Sequence, residues 1–304
     1  MNTTDNLKYL KTLVGEEASF HIDQEDAINS CLEKGTRTLL VQKTGWGKSA
    51  VYFIAAKSIK ETHGKMTVIV SPLISLMRNQ ILNAKELIDV QSINSGDDFG
   101  KIKETQEALL DGEVDVLIVS PERFANEYFQ QNIFPTIAEA IGLFVIDEAH
   151  CISTWGHDFR PDYKRINNII GQMPDNVPIL ATTATANDRV VNDIKSQIGD
   201  SLVIQRGSLL RKSIQLQSIT LPMQAERLAW LLEVVPKLPK SGIIYTLTTR
   251  DAKNVANWMS ENGISSLPYY SGITSEEFPD TNDYRLYLEE QLSSNKIKVL
   301  VATV

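Results

Sequence analysis

Leu143, Phe144, Val145 and Ile146 form an unbroken apolar run that stops at two adjacent carboxylates, Asp147 and Glu148. A strand that is apolar at every position belongs in a parallel sheet covered on both faces, because a sheet with one wet face alternates apolar and polar residues instead. Comparable runs recur at residues 38–41, 67–70, 114–119 and 179–182, separated by helical stretches such as 74–87 and 102–110. The alternation predicts an α/β fold built on a parallel, helix-covered sheet. In such sheets ligands bind at the carboxyl ends of the strands, which is where the sequence puts Asp147 and Glu148.

Length and composition set the frame. With 304 residues, 42% hydrophobic and 22% charged, the chain is globular material sufficient for two domains of moderate size. The net charge of −8 argues against broad nonspecific adhesion to nucleic acid and leaves room for a local basic or aromatic groove. No stretch has the apolar length of a membrane span, and the first twenty residues lack the basic flank and apolar core of a secretory signal, so a cytoplasmic location is expected. Cys31 and Cys151 are far apart, without further cysteines or clustered histidines, and support neither a disulfide framework nor a structural zinc site.

The first 35 residues read as helical, interrupted by Phe20-His21-Ile22-Asp23-Gln24. A helix after Asp188 and a short strand at 202–204 close the first alternation, and the Gly- and Ser-bearing basic stretch that follows places a boundary near residue 207. Two domains are therefore expected, 1–206 and 207–304. The second repeats the pattern: helix 224–235, strand 242–245, helix 251–262, strand 266–270, helix 283–292 and strand 298–302. It looks unfinished, and its last strand is expected to lack following neighbours and to leave an open apolar edge.

Three stretches carry chemistry. The loop Thr44-Gly45-Trp46-Gly47-Lys48-Ser49 joins a strand to an apolar helix, the context in which a phosphate loop works. Its glycines let backbone N–H groups cradle phosphate oxygens, Lys48 supplies a cation, and Ser49 supplies a hydroxyl for magnesium. Gln42 stands where the full pattern has its first glycine. Asp147 is then the natural magnesium partner, and Glu148 the group that orients or deprotonates an attacking water. Third, Trp155, His157, Phe159, Arg160 and Tyr163 crowd a turn-rich loop just beyond these acids. Rings and a guanidinium there point to a surface on which nucleic-acid bases stack without regard to sequence. Ser71, Arg78 and Ser120, the last followed by Pro121, sit after strands, where backbone N–H groups are placed to grip a DNA phosphate.

In order along the chain, these stretches resemble the motifs of RecQ-type DNA helicases of helicase superfamily 2. Phe20 to Gln24 resembles the adenine-recognition motif, residues 44–49 motif I, residues 71–80 motif Ia, Asp147-Glu148-Ala149-His150 the DEAH box, residues 181–186 motif III, and residues 242–256 motif IV. The aromatic loop 151–163 is the most specific of them.

The resemblance implies two RecA-like domains, the second incomplete, and an ATP- and Mg2+-dependent 3′-to-5′ helicase acting on single-stranded or forked DNA in repair or recombination. It implies that Gln24 reads adenine, that Thr44, Gly45, Trp46, Gly47, Lys48 and Ser49 hold the nucleotide, and that Ser49 and Asp147 hold the metal. It further implies that His150, Trp155, His157, Phe159, Arg160, Thr183 and Thr185 couple DNA to the ATP site, with Ser71 and Arg78 on the DNA track, and that Arg211 and Lys212 match basic residues after the interdomain linker. His21 departs from the family's usual arginine, which loosens the expected base selectivity, and Trp46 fills a position normally small. The chain stops at the opening of the family's motif V, so that motif VI and its arginine finger are expected to lie outside these residues. The alternative expectation is an ATP-dependent nucleic-acid-binding or regulatory module without unwinding activity; an RNA-directed relative is the third.

Overall fold

The computed structural model describes residues 3–72, 74–94, 97–153, 163, 166–210 and 214–303. They form two compact units, Met1–Ile214 and Gln215–Val304.

The first unit is built on seven parallel strands: β1 (Arg37–Val41), β2 (Met66–Val70), β3 (Val90–Ile93), β4 (Val116–Val119), β5 (Ile141–Ile146), β6 (Ile179–Thr183) and β7 (Val203–Arg206), in the order β3-β4-β2-β5-β6-β1-β7. Its helices are α1 (Thr3–Val14), α2 (Gln24–Leu32), α3 (Lys48–His63), α4 (Ile74–Ala84), α5 (Phe99–Leu110), α6 (Pro121–Phe124), α7 (Phe134–Ile137), α8 (Ile166–Ile170) and α9 (Asp188–Ile198). The sheet divides two cores. Leu39, Val68, Val70, Leu117, Phe144 and Ile146 face one, and their sequence neighbours Leu40, Ile69, Val116, Ile118, Leu143 and Val145 face the other. The period-two alternation of side chains thus explains why strands apolar throughout are required: both faces are interior.

Because the strands are parallel and in register, their carboxyl ends share one edge. Val41 pairs with Thr183, and Val70 pairs with both Ile146 and Val119. Gln42, Ser71, Ser120, Asp147 and Ala184 therefore step off the sheet side by side.

The second unit has β8 (Gly242–Thr246), β9 (Ser266–Tyr269) and β10 (Val299–Thr303), with α10 (Gln224–Val234), α11 (Thr249–Glu261) and α12 (Thr281–Ser293). The strand order β8-β10-β9 corrects one sequence expectation: the last strand is central, not an open edge. Its crossover returns it between the two earlier strands, and Val299, Leu300 and Val301 are buried. The edge strands are β8 and β9, and on β8 Ile243 and Tyr245 meet solvent.

Candidate nucleotide site

The phosphate loop leaves β1 at Val41 and enters α3 at Lys48. Gly45 and Gly47 adopt φ of 83° and 97°, a left-handed backbone open to glycine and strained for other residues. Gly47 is needed for a second reason, since a Cβ there would lie 2.6 Å from Gln24 Nε2. Lys48 Nζ donates to the Gln42 carbonyl oxygen at 2.9 Å, so the residue that replaces the first glycine also holds the lysine. Thr44 and Gly45 are exposed at the crest of the loop, whereas Trp46 is buried and stacks on His21.

Gln24 has partners that sequence alone does not show. Its Oε1 accepts the His21 backbone N–H at 3.0 Å and its Nε2 donates to the Gly47 carbonyl at 3.2 Å.

Asp147 follows β5 and is buried. Ile146 pairs with Ala181, so the next residues, Asp147 and Thr182, are neighbours. The Thr182 hydroxyl donates to Oδ1 at 2.6 Å, and Gln80 Nε2 donates to Oδ2 at 3.1 Å and to the Tyr52 hydroxyl at 2.8 Å. Tyr163, fully buried, donates its hydroxyl to the Asp147 carbonyl at 3.0 Å. Burial pushes the Asp147 carboxyl above its ordinary range; the Thr182 hydrogen bond pulls the other way, the Glu148 charge adds to the rise, and the rise prevails.

Glu148 turns the chain with φ 48° and ψ 48°, a left-handed conformation that costs a non-glycine residue of order 1 kcal/mol or more and tends to persist at functional sites. Its own burial would raise its pKa, but the His150 hydrogen bond and the Lys48 charge more than offset that and hold the carboxylate below the usual range. Glu148 is thus an anion that feels the phosphate-loop lysine.

His150 Nδ1 lies 3.2 Å from Glu148 Oε2 and 3.0 Å from Thr183 Oγ1. The Thr183 hydroxyl proton goes to the Thr185 carbonyl at 2.9 Å, while its oxygen also accepts from Thr185 N–H at 3.2 Å. Toward His150, Thr183 therefore acts as an acceptor, which assigns a proton to Nδ1. The Cys151 sulfur, then the Glu148 carboxylate, push the imidazole up to about 10. One chain of hydrogen bonds thus runs from Glu148 through His150 and Thr183 to Thr185.

Not every sequence-marked residue meets this site as expected. Ser71 is fully buried and its N–H is taken by the Val119 carbonyl at 3.1 Å, so it extends the sheet instead of offering a phosphate grip. Ser120 likewise gives its N–H to Ile93, and its hydroxyl caps α6 by accepting from Arg123 N–H. Arg78 lies on α4, and its side chain is outside the described residues, as are Trp155, His157, Phe159, Arg160, Arg211 and Lys212. The described flank Ser153 donates to Asp193 at 2.6 Å, and Tyr163 returns beneath Asp147. Gln80 and Thr182, which hold the buried carboxylate, and Tyr52, which accepts from Gln80, escape sequence reasoning. Only Thr182 leaves a trace, as a polar residue ending a strand beside an acid.

With one buried carboxylate and a helix-start hydroxyl, the site fits magnesium, which is normally held by one or two carboxylates together with substrate phosphates. Among the described residues no cluster of three or more His, Cys, Asp or Glu is placed to hold a metal on its own.

Comparison with known proteins agrees with this arrangement. Residues 21–194 match the DEAD/DEAH box helicase family. The chain is 33% identical over 303 residues to the ATP-dependent DNA helicase RecQ of Haemophilus influenzae, covering 98% of this chain and 45% of that protein. It is 33% identical over 306 residues to ATP-dependent DNA helicase Q-like 5 of Arabidopsis thaliana, covering 99% and 32%. The chain thus spans less than half the length of these relatives. Among solved structures, Mss116p bound to single-stranded RNA and AMP-PNP superimposes with a TM-score of 0.78 at 16% identity, over 100% of this chain and 63% of that one. Dbp5 of S. cerevisiae bound to RNA and ADP BeF3 gives 0.74 at 17% identity, over 98% and 73%. At such identities these two speak for the fold alone. The family match and the relatives show that the chain belongs to the DEAD/DEAH box helicases and, within them, is of RecQ type.

Proposed function

We propose that this chain is the motor core of a DNA helicase that uses ATP and magnesium to translocate 3′ to 5′ and to unwind single-stranded or forked substrates in repair or recombination. The observation that carries the reading is the convergence of Lys48, Asp147 and Glu148 on one edge of one parallel sheet, with Glu148 ionised under the Lys48 charge. Lys48 would neutralise the β- and γ-phosphates, Ser49 and Asp147 would hold the metal, and Glu148 would orient the attacking water and accept its proton. Bound magnesium would supply charge neutralisation across the phosphates. DNA as the substrate draws support from the names of the relatives and from the aromatic loop, whose flank at Tyr163 is tied to the same edge through the Asp147 carbonyl.

Polarity and pathway rest on the RecQ resemblance. The coupling route is His150, Thr183 and Thr185, which joins Glu148 to the start of α9 without using the nucleotide.

The test compares ATP turnover with single-stranded DNA, duplex DNA, RNA and no nucleic acid, in the parent and in Lys48→Ala, Trp155→Ala and Arg160→Ala. Lys48→Ala is expected to lose nucleotide binding. The two loop variants are expected to keep it and to lose most of the DNA response, because stacking on one base is worth about 1–3 kcal/mol. Stimulation by RNA equal to that by DNA would defeat the assignment of DNA as substrate.

A further inference from the structure

At the edge of the first sheet opposite Lys48 and Asp147, a cavity of about 130 Å³ opens between the amino ends of β2, β5 and β6 and the last turns of α2 and α3. Its floor is apolar, for Cys31, Ile59, Ile141 and Val177 are all buried. A dry apolar cavity of roughly 150 Å³ is enough to hold a benzene ring. The Cys31 thiol donates to the Ala27 carbonyl at 3.2 Å, so the wall offers a place for binding and not for covalent reaction.

The rim is basic. Lys34, His63 and Lys65 belong to the lining and no Asp or Glu does; Glu33 and Asp175, the acids next in sequence, stand outside it. Neither lysine has an ion-pair partner among the described residues. Basic residues also favour helix C-termini, and two helices end here. Each such end amounts to only about half an elementary charge, and the Gly64 N–H already takes the Lys60 carbonyl at the end of α3, so two lysines exceed what the helices require.

Lys65 is ordered before any ligand arrives. The register of β5 against β2 slips between Met66 and Thr67, which makes Gly142 an extra residue with no partner opposite. A Cβ at Gly142 would stand 2.5 Å from Ile59 Cγ2 and 2.8 Å from Lys65 Cβ, with Lys65 Cδ at 3.5 Å. The lysine stem therefore lies across the bulge, and a stem already fixed loses less entropy when its ammonium group takes a partner.

We propose that this cavity binds a small carboxylic acid with a ring-sized apolar body, the body resting on Ile59, Ile141 and Val177 and the carboxylate meeting the basic rim. A bare inorganic anion leaves the floor unused, and a neutral ring leaves the lysines unused. The site shares no residue with the nucleotide site and does not rest on that reading, although α3 begins at Lys48 and β5 leads into Asp147.

The experiment titrates the whole chain with benzoate at constant ionic strength by ligand-observed NMR, with benzyl alcohol as the neutral analogue. Benzoate is expected to bind with a dissociation constant on the order of a millimolar, the range open to a ligand of about nine non-hydrogen atoms, and benzyl alcohol at least about fivefold more weakly. Lys34→Met and Lys65→Met keep the alkyl stems and remove the charges at positions that are not buried. Together they are expected to weaken benzoate about fivefold or more and to leave benzyl alcohol within about twofold. Inorganic phosphate at the same concentration is expected to leave benzoate bound. Benzoate and benzyl alcohol binding equally, benzoate binding untouched by the two substitutions, or benzoate displaced by equal phosphate would each overturn the proposal. So would no binding of benzoate at about 10 mM.

Discussion

The Thr182 hydroxyl and Asp147 Oδ1 meet at 2.6 Å, joining the ends of two adjacent strands inside the protein. Water does not compete there, so the bond both anchors the carboxylate and lowers the cost of its burial. Thr182→Val keeps the shape and removes the donor, leaving a buried acceptor short of a partner. A loss of about 1–3 kcal/mol is expected in denaturant unfolding, with Thr182→Ser recovering most of it. Equal midpoints and slopes for parent and Val variant would show that the hydroxyl contributes nothing.

Asp147 also sets a pH dependence. Its folded pKa lies above the unfolded value because burial outweighs its hydrogen bonds. The folded state therefore holds the proton more tightly, so the stability this group contributes is present below the unfolded pKa and is lost as pH rises through the folded one. In metal-free protein, Asp147→Asn is expected to be the more stable form at neutral pH, with a melting temperature a few degrees higher for about 1 kcal/mol, and the gap is expected to close toward pH 4. A gap that widens on acidification would reverse the sign of the argument.

Thr183 is the middle of the path from Glu148 to Thr185. Thr183→Val deletes an oxygen that takes part in hydrogen bonds with His150 and Thr185 together. Nucleotide affinity is expected to stay within about twofold, since the backbone bond from Gln42 N–H to the Thr183 carbonyl, 3.1 Å long, survives the substitution, while the stimulation of turnover by DNA falls by about tenfold. If Thr183→Val and Thr183→Ser respond to DNA as the parent does, the path carries no coupling.

The cysteines give a test of packing. Cys31 and Cys151 are both buried, and burial pushes the Cys31 thiol up to about 12. Thiolate is the reactive form and Cys31 is held away from it, while Cys151 is shielded by its burial, so at pH 8 a disulfide reagent is expected to titrate neither sulfur in the native chain and both after denaturation. Prompt reaction of either sulfur in the native chain would indicate local opening of the helix or turn that carries it.

Much of this architecture is legible in the sequence because its signals are local. Five apolar runs fall on β1, β2, β4, β5 and β6, and the glycine loop that follows β1 has its structural context within a dozen residues. β3 goes unread, since Val90-Gln91-Ser92-Ile93 carries two polar side chains and resembles a turn as much as a strand. The segment from Phe124 to Phe144 is equally opaque. Its short helices form because Phe129, Phe134 and Phe144 each pack against the Phe124 ring, a cluster set by tertiary contact rather than period. Around the site, Lys48, Asp147 and Glu148 announce themselves by type and spacing. Gln80, with Tyr52 behind it, and Tyr163 do not, because they come to Asp147 from remote helices and loops that only the finished fold brings near.

β7 is the outermost strand of the first sheet and pairs with β1 alone, Arg206 beside Val41, before Gly207 adds one more bond to the Val41 carbonyl at 3.0 Å. The Gln42 side chain fills the space where a Cβ at Gly207 would sit, so the strand's end is keyed to the first residue of the phosphate loop. The covalent path toward Gln215 starts from this strand. A pull directed along β7 would load its bonds to β1 together, in shear, not one after another as in peeling. β1 is thus a common anchor for the phosphate loop that continues it and for the strand end at Gly207.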